Sequence, residues 1–257
     1  MKILNFLKLA FSKKEALLNQ LVFTKGQRTI VLQEMVHIGE EKMYQEINND
    51  IHDFIQNHEN AKVYLEGIYG EKEDIASLNA KMMGIFGIKQ TKNTNTLFLK
   101  EIYKNIAQVT GLSLQSPDNY LKNIDEKLLV KADFTYAQMY EHIKDIEDAK
   151  NIEEFPINQK GWDFLTKAKV PGIIIKQLIK NAIINKDEIK PPSKFTNFIK
   201  LQEVILHERN KFVIELLMRT RHKNIFMTYG AAHTKEIQEE LVKKGFTCET
   251  RKSIAFK

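Results

Sequence analysis

A chain of 257 residues with 43% hydrophobic content can bury a substantial core, as one large domain or two small ones. Its 39 Lys and Arg against 33 Asp and Glu leave a charge of +6, but lysines alternate with acids and arginines do not interleave with aromatics. A solvated surface is therefore expected and a nucleic-acid partner is not. The single cysteine, Cys248, excludes an intramolecular disulfide and a thiolate metal cluster and leaves a reducing compartment open.

In chain order, "MKILNFLKLAFSKKEALL" begins with Lys2 and an apolar run that Lys8 interrupts, and no small-residue cleavage site follows. A poorly packed leading helix is expected there, no other segment is long and apolar enough to span a bilayer, and the expected location is the cytoplasm. "TIVLQEMV", Thr29 to Val36, reads as a buried strand. "EEKMYQEINNDIHDFIQ" then brings Met43, Tyr44, Ile47, Ile51, Phe54 and Ile55 to one helical face. "AKVYLEG" from Ala61 is the next short strand, which makes a parallel crossover of strand, helix and strand. "NTLFLKEIYKNIAQVTG" is a helix ending near Gly111, "LSLQ" a short strand, and "KLLVKADF" a strand ending by Asp133. Thr135 and Gln138 form a capping box for "YAQMYEHIKDIEDAK".

Helices follow in "GIIIKQLIKNAII" and "FTNFIKLQEVILHERNKFVIELLMRT", separated by "KDEIKPPSKF", whose Pro191 and Pro192 mark a loop or hinge. The chain closes with the strand "NIFMTYG", a helix "TKEIQEELVKKG" stopped by Gly245, and the strand "FTCETRKSIAF". This order predicts one α/β domain over 1–257, with a central mostly parallel or mixed sheet flanked by helices. Its strands come from both chain ends, in a core of about 28–70 and 195–257, and a mainly helical middle of about 71–194 is inserted between them.

In such a sheet ligands bind beyond the carboxyl ends of the strands. Three strands put an ionisable residue there: His37 after the first, Glu66 closing the second in "VYLEGIYG", and His233 after "IFMTYG". Imidazole and carboxylate together can hold a divalent metal and activate its water. Glu34 lies inside an apolar run, where an unpaired carboxylate costs several kcal/mol or shifts its pKa. Strand alternation would send Glu34 and His37 to opposite faces, so both serve one site only if the strand has ended by about Met35. On a helix, Arg209 shares its stripe with Ile205, Phe212, Val213 and Leu216, so its guanidinium calls for a carboxylate or an anionic ligand; Glu208 and Asn210 beside it could orient it or contact substrate. Taken singly, each of these residues is as readily a loop histidine, a helix cap or a snorkelling arginine. Their shared placement is what suggests a site.

The two strand exits ending in His, the Glu closing the second strand, and "ERN" on a helix before "YGAAHTKEIQEELVKKGF" resemble the TraB/PrgY/GumN/TIKI superfamily, which also takes in erythromycin-esterase-like and ChaN-like proteins. Its second G-x-x-H motif is intact as Gly230, Ala231, Ala232 and His233. At the first motif Glu34 stands where Gly is expected, in "Glu34-Met35-Val36-His37", as in erythromycin-esterase-like members. The resemblance implies hydrolysis of a small-molecule or peptide substrate. His37, His233 and a carboxylate, Glu66 or Glu34, would hold a divalent metal (Mn, Co or Zn) or activate water directly, and Arg209 would steady an oxyanion or anchor substrate. It also admits a haem- or iron-binding protein without turnover and a silent regulatory member, though Glu34, Glu66 and Arg209 beside the histidines favour the hydrolase. A homo-oligomer is compatible with either.

Overall fold

Strand β2 (Arg28–Met35) has six consecutive buried residues, Ile30 to Met35, a run that a strand shows when helices cover both its faces. The computed structural model describes residues 15–86, 98–148, 172–186 and 196–256. In chain order the other strands are β1 (Ala16–Lys25), β3 (Ile38–Gly39), β4 (Lys62–Leu65), β5 (Ser113–Leu114), β6 (Leu129–Lys131), β7 (Asn224–Gly230) and β8 (Thr247–Phe256). The helices are α1 (Glu41–Asn57), α2 (Lys72–Ile85), α3 (Phe98–Thr110), α4 (Pro117–Tyr120), α5 (Tyr136–Ile143), α6 (Gly172–Ile184), α7 (Thr196–Glu203), α8 (Arg209–Arg219) and α9 (Thr234–Lys243).

Six strands form one mixed sheet in the order β6-β4-β7-β2-β1-β8. The first four are parallel, while β1 runs antiparallel to β2 and to β8. Gly26, at φ +58°, supplies the left-handed first position that the two-residue turn between β1 and β2 requires. The fold is α/β, with strands from both ends of the chain, and the largely helical middle contributes the edge strand β6. A separate ribbon of β3 and β5 fixes the segment that follows β2.

Helix α1 lays Met43, Tyr44, Ile47, Ile51 and Phe54 against Val31, Met35, Val63 and Phe226 on one face of the sheet. Burying each of these large side chains contributes roughly 1.5–3 kcal/mol. On the other face Val213, Ile214 and Leu217 of α8, with Ile237 and Leu241 of α9, pack on Ile30, Leu32, Ile225, Met227 and Tyr229. Helix α9 ends in a Schellman motif: Gly245 sits at φ +86° and the Phe246 N–H reaches the Leu241 carbonyl at 3.1 Å. The Thr135–Gln138 capping box opens α5 with both of its hydrogen bonds present.

The leading-helix expectation fails where it can be checked, because Ala16, Leu17 and Leu18 open β1; residues 1–14 lie outside the described residues. Burial along β1 favours Ala16, Leu18 and Gln20, then Leu21 and Phe23. One end of the strand is covered on the α1 face and the other end on the opposite face, so the alternation changes parity midway and its period is hidden. The Pro191–Pro192 loop also lies outside the described residues. Among the described residues no helix is long and apolar enough to cross a membrane.

Candidate active site

The four parallel strands end at the same edge of the sheet, and the loops beyond β4, β6 and β7 carry Glu66, Asp133 and His233. Glu66 extends β4 by one residue, its N–H donating to the Thr228 carbonyl at 3.1 Å, which sets its side chain over the end of β7. There the Glu66 side chain, 6% exposed, gathers three donors. Oε1 accepts from Arg209 Nη2 at 2.8 Å and lies 3.2 Å from His233 Nε2; Oε2 accepts the Gly230 N–H at 2.5 Å. A Cβ at position 230 would stand 3.1 Å from Oε2, so the glycine lets the backbone donor approach this closely.

Arg209 enters at the end of a π-helical turn, Val204–Glu208, a wider turn that is frequent at functional sites. Its guanidinium is buried, as expected. Nε donates to Asp133 Oδ1 at 2.8 Å, Nη2 also bonds Asp133 Oδ2, and Nη1 donates to the Ile205 carbonyl at 3.2 Å. Together with the bond to Glu66, four of its five N–H donors are committed to the protein. Asp133 is fully buried and also accepts the backbone N–H groups of Gly67 and Phe134, both at 2.8 Å. Arg209 therefore acts on the site through Glu66 and has little left to offer a substrate oxyanion.

Asn210, one step of about 100° further round the helix, points at His233 instead. Its Oδ1 lies 2.7 Å from His233 Nδ1, and its Nδ2 donates to Glu236 Oε2 at 2.7 Å. Asn210 is fully buried with both ends of its amide engaged, so it orients the histidine and is not placed to bind substrate. His233 is 3% exposed, and its ring meets the Tyr229 ring edge-on at 5.3 Å.

Burial alone would raise Glu66, but the charges of His233 and Arg209, the His233 hydrogen bond and the more distant charge of His37 outweigh it. They hold the carboxyl well below its usual range. For Arg209, burial works against the charge, while the Asp133 hydrogen bond and the Glu66 and Asp133 carboxylates raise the guanidinium above its ordinary value. Tyr103 is pushed up to about 12, by burial and then by the Glu66 charge, and stays a neutral phenol.

His37 stands at the exposed rim of this edge. Its Nδ1 faces Gln115 Oε1 at 3.2 Å and its ring stacks on Tyr103 at 4.7 Å. The Gln115 N–H donates to the His37 carbonyl at 2.9 Å, and the Tyr44 hydroxyl to the Val36 carbonyl at 2.7 Å, so β3, β5 and α1 together hold the loop. Strand β2 does end at Met35, but Glu34 is not part of the cluster. Its Oε2 accepts the Asn19 N–H at 2.7 Å and bonds Lys186 Nζ, in an open cavity of about 700 Å³ also lined by Thr234 and Gln238. Pairing of β1 with β2 stops at Gln20 and Gln33, and Glu34 serves the next β1 amide, which β2 leaves without a backbone partner.

The donor set can be tested against a metal. Two ligands at 2.0–2.1 Å from a tetrahedral ion are about 3.3 Å apart. Glu66 Oε1 and His233 Nε2, at 3.2 Å, are so spaced. A third is missing: among the described residues no group of three or more His, Cys, Asp or Glu is arranged to hold an ion. Glu66 Oε1 is moreover already shared with Arg209. The residues as folded do not fit a three-ligand metal site. No protein-family description, curated protein or solved structure matches this chain.

Asp133 and Glu236 belong to the network and were not singled out by the sequence. Asp133 carries the same signal as Glu66, an ionisable residue just past a strand, but β6 has only three residues and its end is hard to locate. Glu236 lies three residues, about one helical turn, beyond His233 in "HTKE", and no pattern in the sequence separates it from the surface acids around it.

Proposed function

We propose that this chain is a hydrolase of ester or peptide bonds, with His37 as base and the Glu66–His233 pair as acid. The observation that carries the reading is the meeting of Arg209, His233 and the Gly230 N–H on one buried carboxylate at the carboxyl edge of the sheet. His37 follows the end of β2, the parallel neighbour of β7, whose own end leads to His233. The resemblance to the TraB/PrgY/GumN/TIKI superfamily is in keeping with this reading.

Glu236 can only accept, so Asn210 must turn its NH₂ toward it and its Oδ1 toward His233. His233 Nδ1 then carries a proton, and a proton on Nε2 makes the bond to ionised Glu66. His37, by donating Nδ1–H to Gln115, keeps the Nε2 lone pair outward. A water at His37 Nε2 gives up a proton to that nitrogen as its oxygen bonds to the substrate carbonyl carbon. The bond from carbon to the leaving oxygen or nitrogen breaks, and the departing atom takes the proton from His233 Nε2. Solvent then carries the proton on His37 back to the pair. One water is consumed, its hydroxyl on the acyl product and a proton on the leaving group. Arg209, itself held by Asp133, fixes Glu66 and helps to keep it ionised opposite the His233 ring.

The test is hydrolysis by the full chain of a panel of nitrophenyl esters and fluorogenic peptides. His37→Gln and His233→Gln should each lower kcat by roughly 10²–10⁴-fold, the usual contribution of general acid–base catalysis. Turnover equal to wild type in both variants would remove the proposal.

A further inference from the structure

The hydrogen-bond chain that reaches His233 starts at the surface. His207, on the π-helical turn, places Nδ1 2.6 Å from Glu236 Oε2; Asn210 Nδ2 donates to that same oxygen at 2.7 Å; and Asn210 Oδ1 lies 2.7 Å from His233 Nδ1. A carboxylate has no proton to donate, whereas an amide presents a donor at one end and an acceptor at the other. The only choice in the chain is therefore which way the Asn210 amide lies, and the carboxylate makes it.

We propose that Glu236 is a positioning residue that acts through Asn210 to hold a proton on His233 Nδ1, so that the Nε2 proton, turned on Glu66, is the one the ring can give up. This rests on the acid role assigned to His233 above. Were Glu236 absent, the Asn210 amide could turn over and donate Nδ2–H to His233 Nδ1. The ring would then bond Glu66 as the neutral Nε2–H form, fully satisfied but with no proton to spare for a leaving group. Both arrangements use the same heavy-atom positions, so neither packing nor burial selects between them. Glu236 is suited to the task because its side chain, 35% exposed, reaches from the surface to a fully buried amide. The amide, in turn, meets a ring that packs edge-to-face with Tyr229 and whose Nε2 is held by Glu66, so the ring itself is not free to rotate.

The test reads the ring nitrogens without substrate. In the uniformly ¹⁵N-labelled full chain, long-range proton–nitrogen correlation spectra report which imidazole nitrogen bears a proton, and His233→Gln assigns the signals. Wild type should show His233 protonated at Nδ1. Glu236→Ala should shift the ring toward the Nε2–H form and lower kcat roughly a hundredfold while KM changes little. The double variant Glu236→Ala/Asn210→Asp should restore both, because an aspartate can only accept from Nδ1. An unprotonated Nδ1 in wild type, an unmoved signature in Glu236→Ala, or no rescue in the double variant would each overturn the inference. A shift and rescue of the ring signature with hydrolysis unchanged would leave it standing and remove the acid role of His233.

Discussion

Replacing Arg209 with Ala leaves two carboxylates, Asp133 at 0% and Glu66 at 6% side-chain exposure, without the cation they share. Removing one partner of a buried ion pair typically costs about 3–5 kcal/mol, because the remaining charge stays desolvated. Lys restores the charge but not the fork. It cannot reproduce Nε on Asp133 Oδ1 together with Nη2 bridging Asp133 and Glu66, so about 2–3 kcal/mol should still be lost out of charge-assisted bonds worth roughly 1.5–3 kcal/mol each. In urea, with a slope of about 2.5 kcal/mol/M for a chain of this size, the Ala variant should unfold about 1.2–2 M earlier than wild type. A double-mutant cycle with Asp133→Asn should show the two losses strongly non-additive. A loss below about 1 kcal/mol in Arg209→Ala at unchanged slope, or additivity within roughly 0.5 kcal/mol, would refute the buried-cluster argument.

Glu66 is held below its ordinary value in the folded chain, so on acidification the unfolded chain takes up the proton first. Its contribution to stability is complete above about pH 4.5 and should fall away as pH drops from there toward the folded-state value; Glu66→Gln should flatten that part of a melting-temperature profile. Gly230→Ala keeps an ordinary backbone, φ −54° and ψ 138°, but sets a methyl 3.1 Å from Glu66 Oε2; hydrolysis should fall severalfold with little change in thermal midpoint. Glu34→Gln should do the opposite, lowering the midpoint by breaking the bond to Lys186 while turnover of the ester panel is kept. Calorimetric titration of Mn, Co and Zn into wild type, His37→Ala and His233→Ala should give the same weak binding in all three; a sharp loss in either variant would bring the metal reading back.

The parallel half of the sheet was readable because β2, β4 and β7 are short apolar runs with an abrupt polar end, and that end is also what locates Glu66 and His233. β1 was not readable by the same means. As an interior strand it pairs on both sides, but its two faces are covered at different ends, so no single period marks it. The bend that brings His37 to the rim depends on β3 pairing with β5, a contact between segments more than seventy residues apart that no local pattern announces.

The site shows where the limit lies. A charge in an apolar stripe says that a partner exists, and Arg209 called for a carboxylate or an anionic ligand; the fold supplies two carboxylates, Asp133 and Glu66. For Glu34 the same reasoning pointed to His37, three residues away and past the end of the strand. The chain supplied Lys186 and the Asn19 amide instead, because a strand edge left one N–H without a backbone partner. Asn210 makes the complementary case. Its polarity suggested substrate contact, yet an amide between a carboxylate and an imidazole is worth more as a fixed two-ended connector than as a free donor, since turning it would exchange donor for acceptor at both ends. Sequence can name the groups that need partners; only the fold decides whether a partner is substrate or protein.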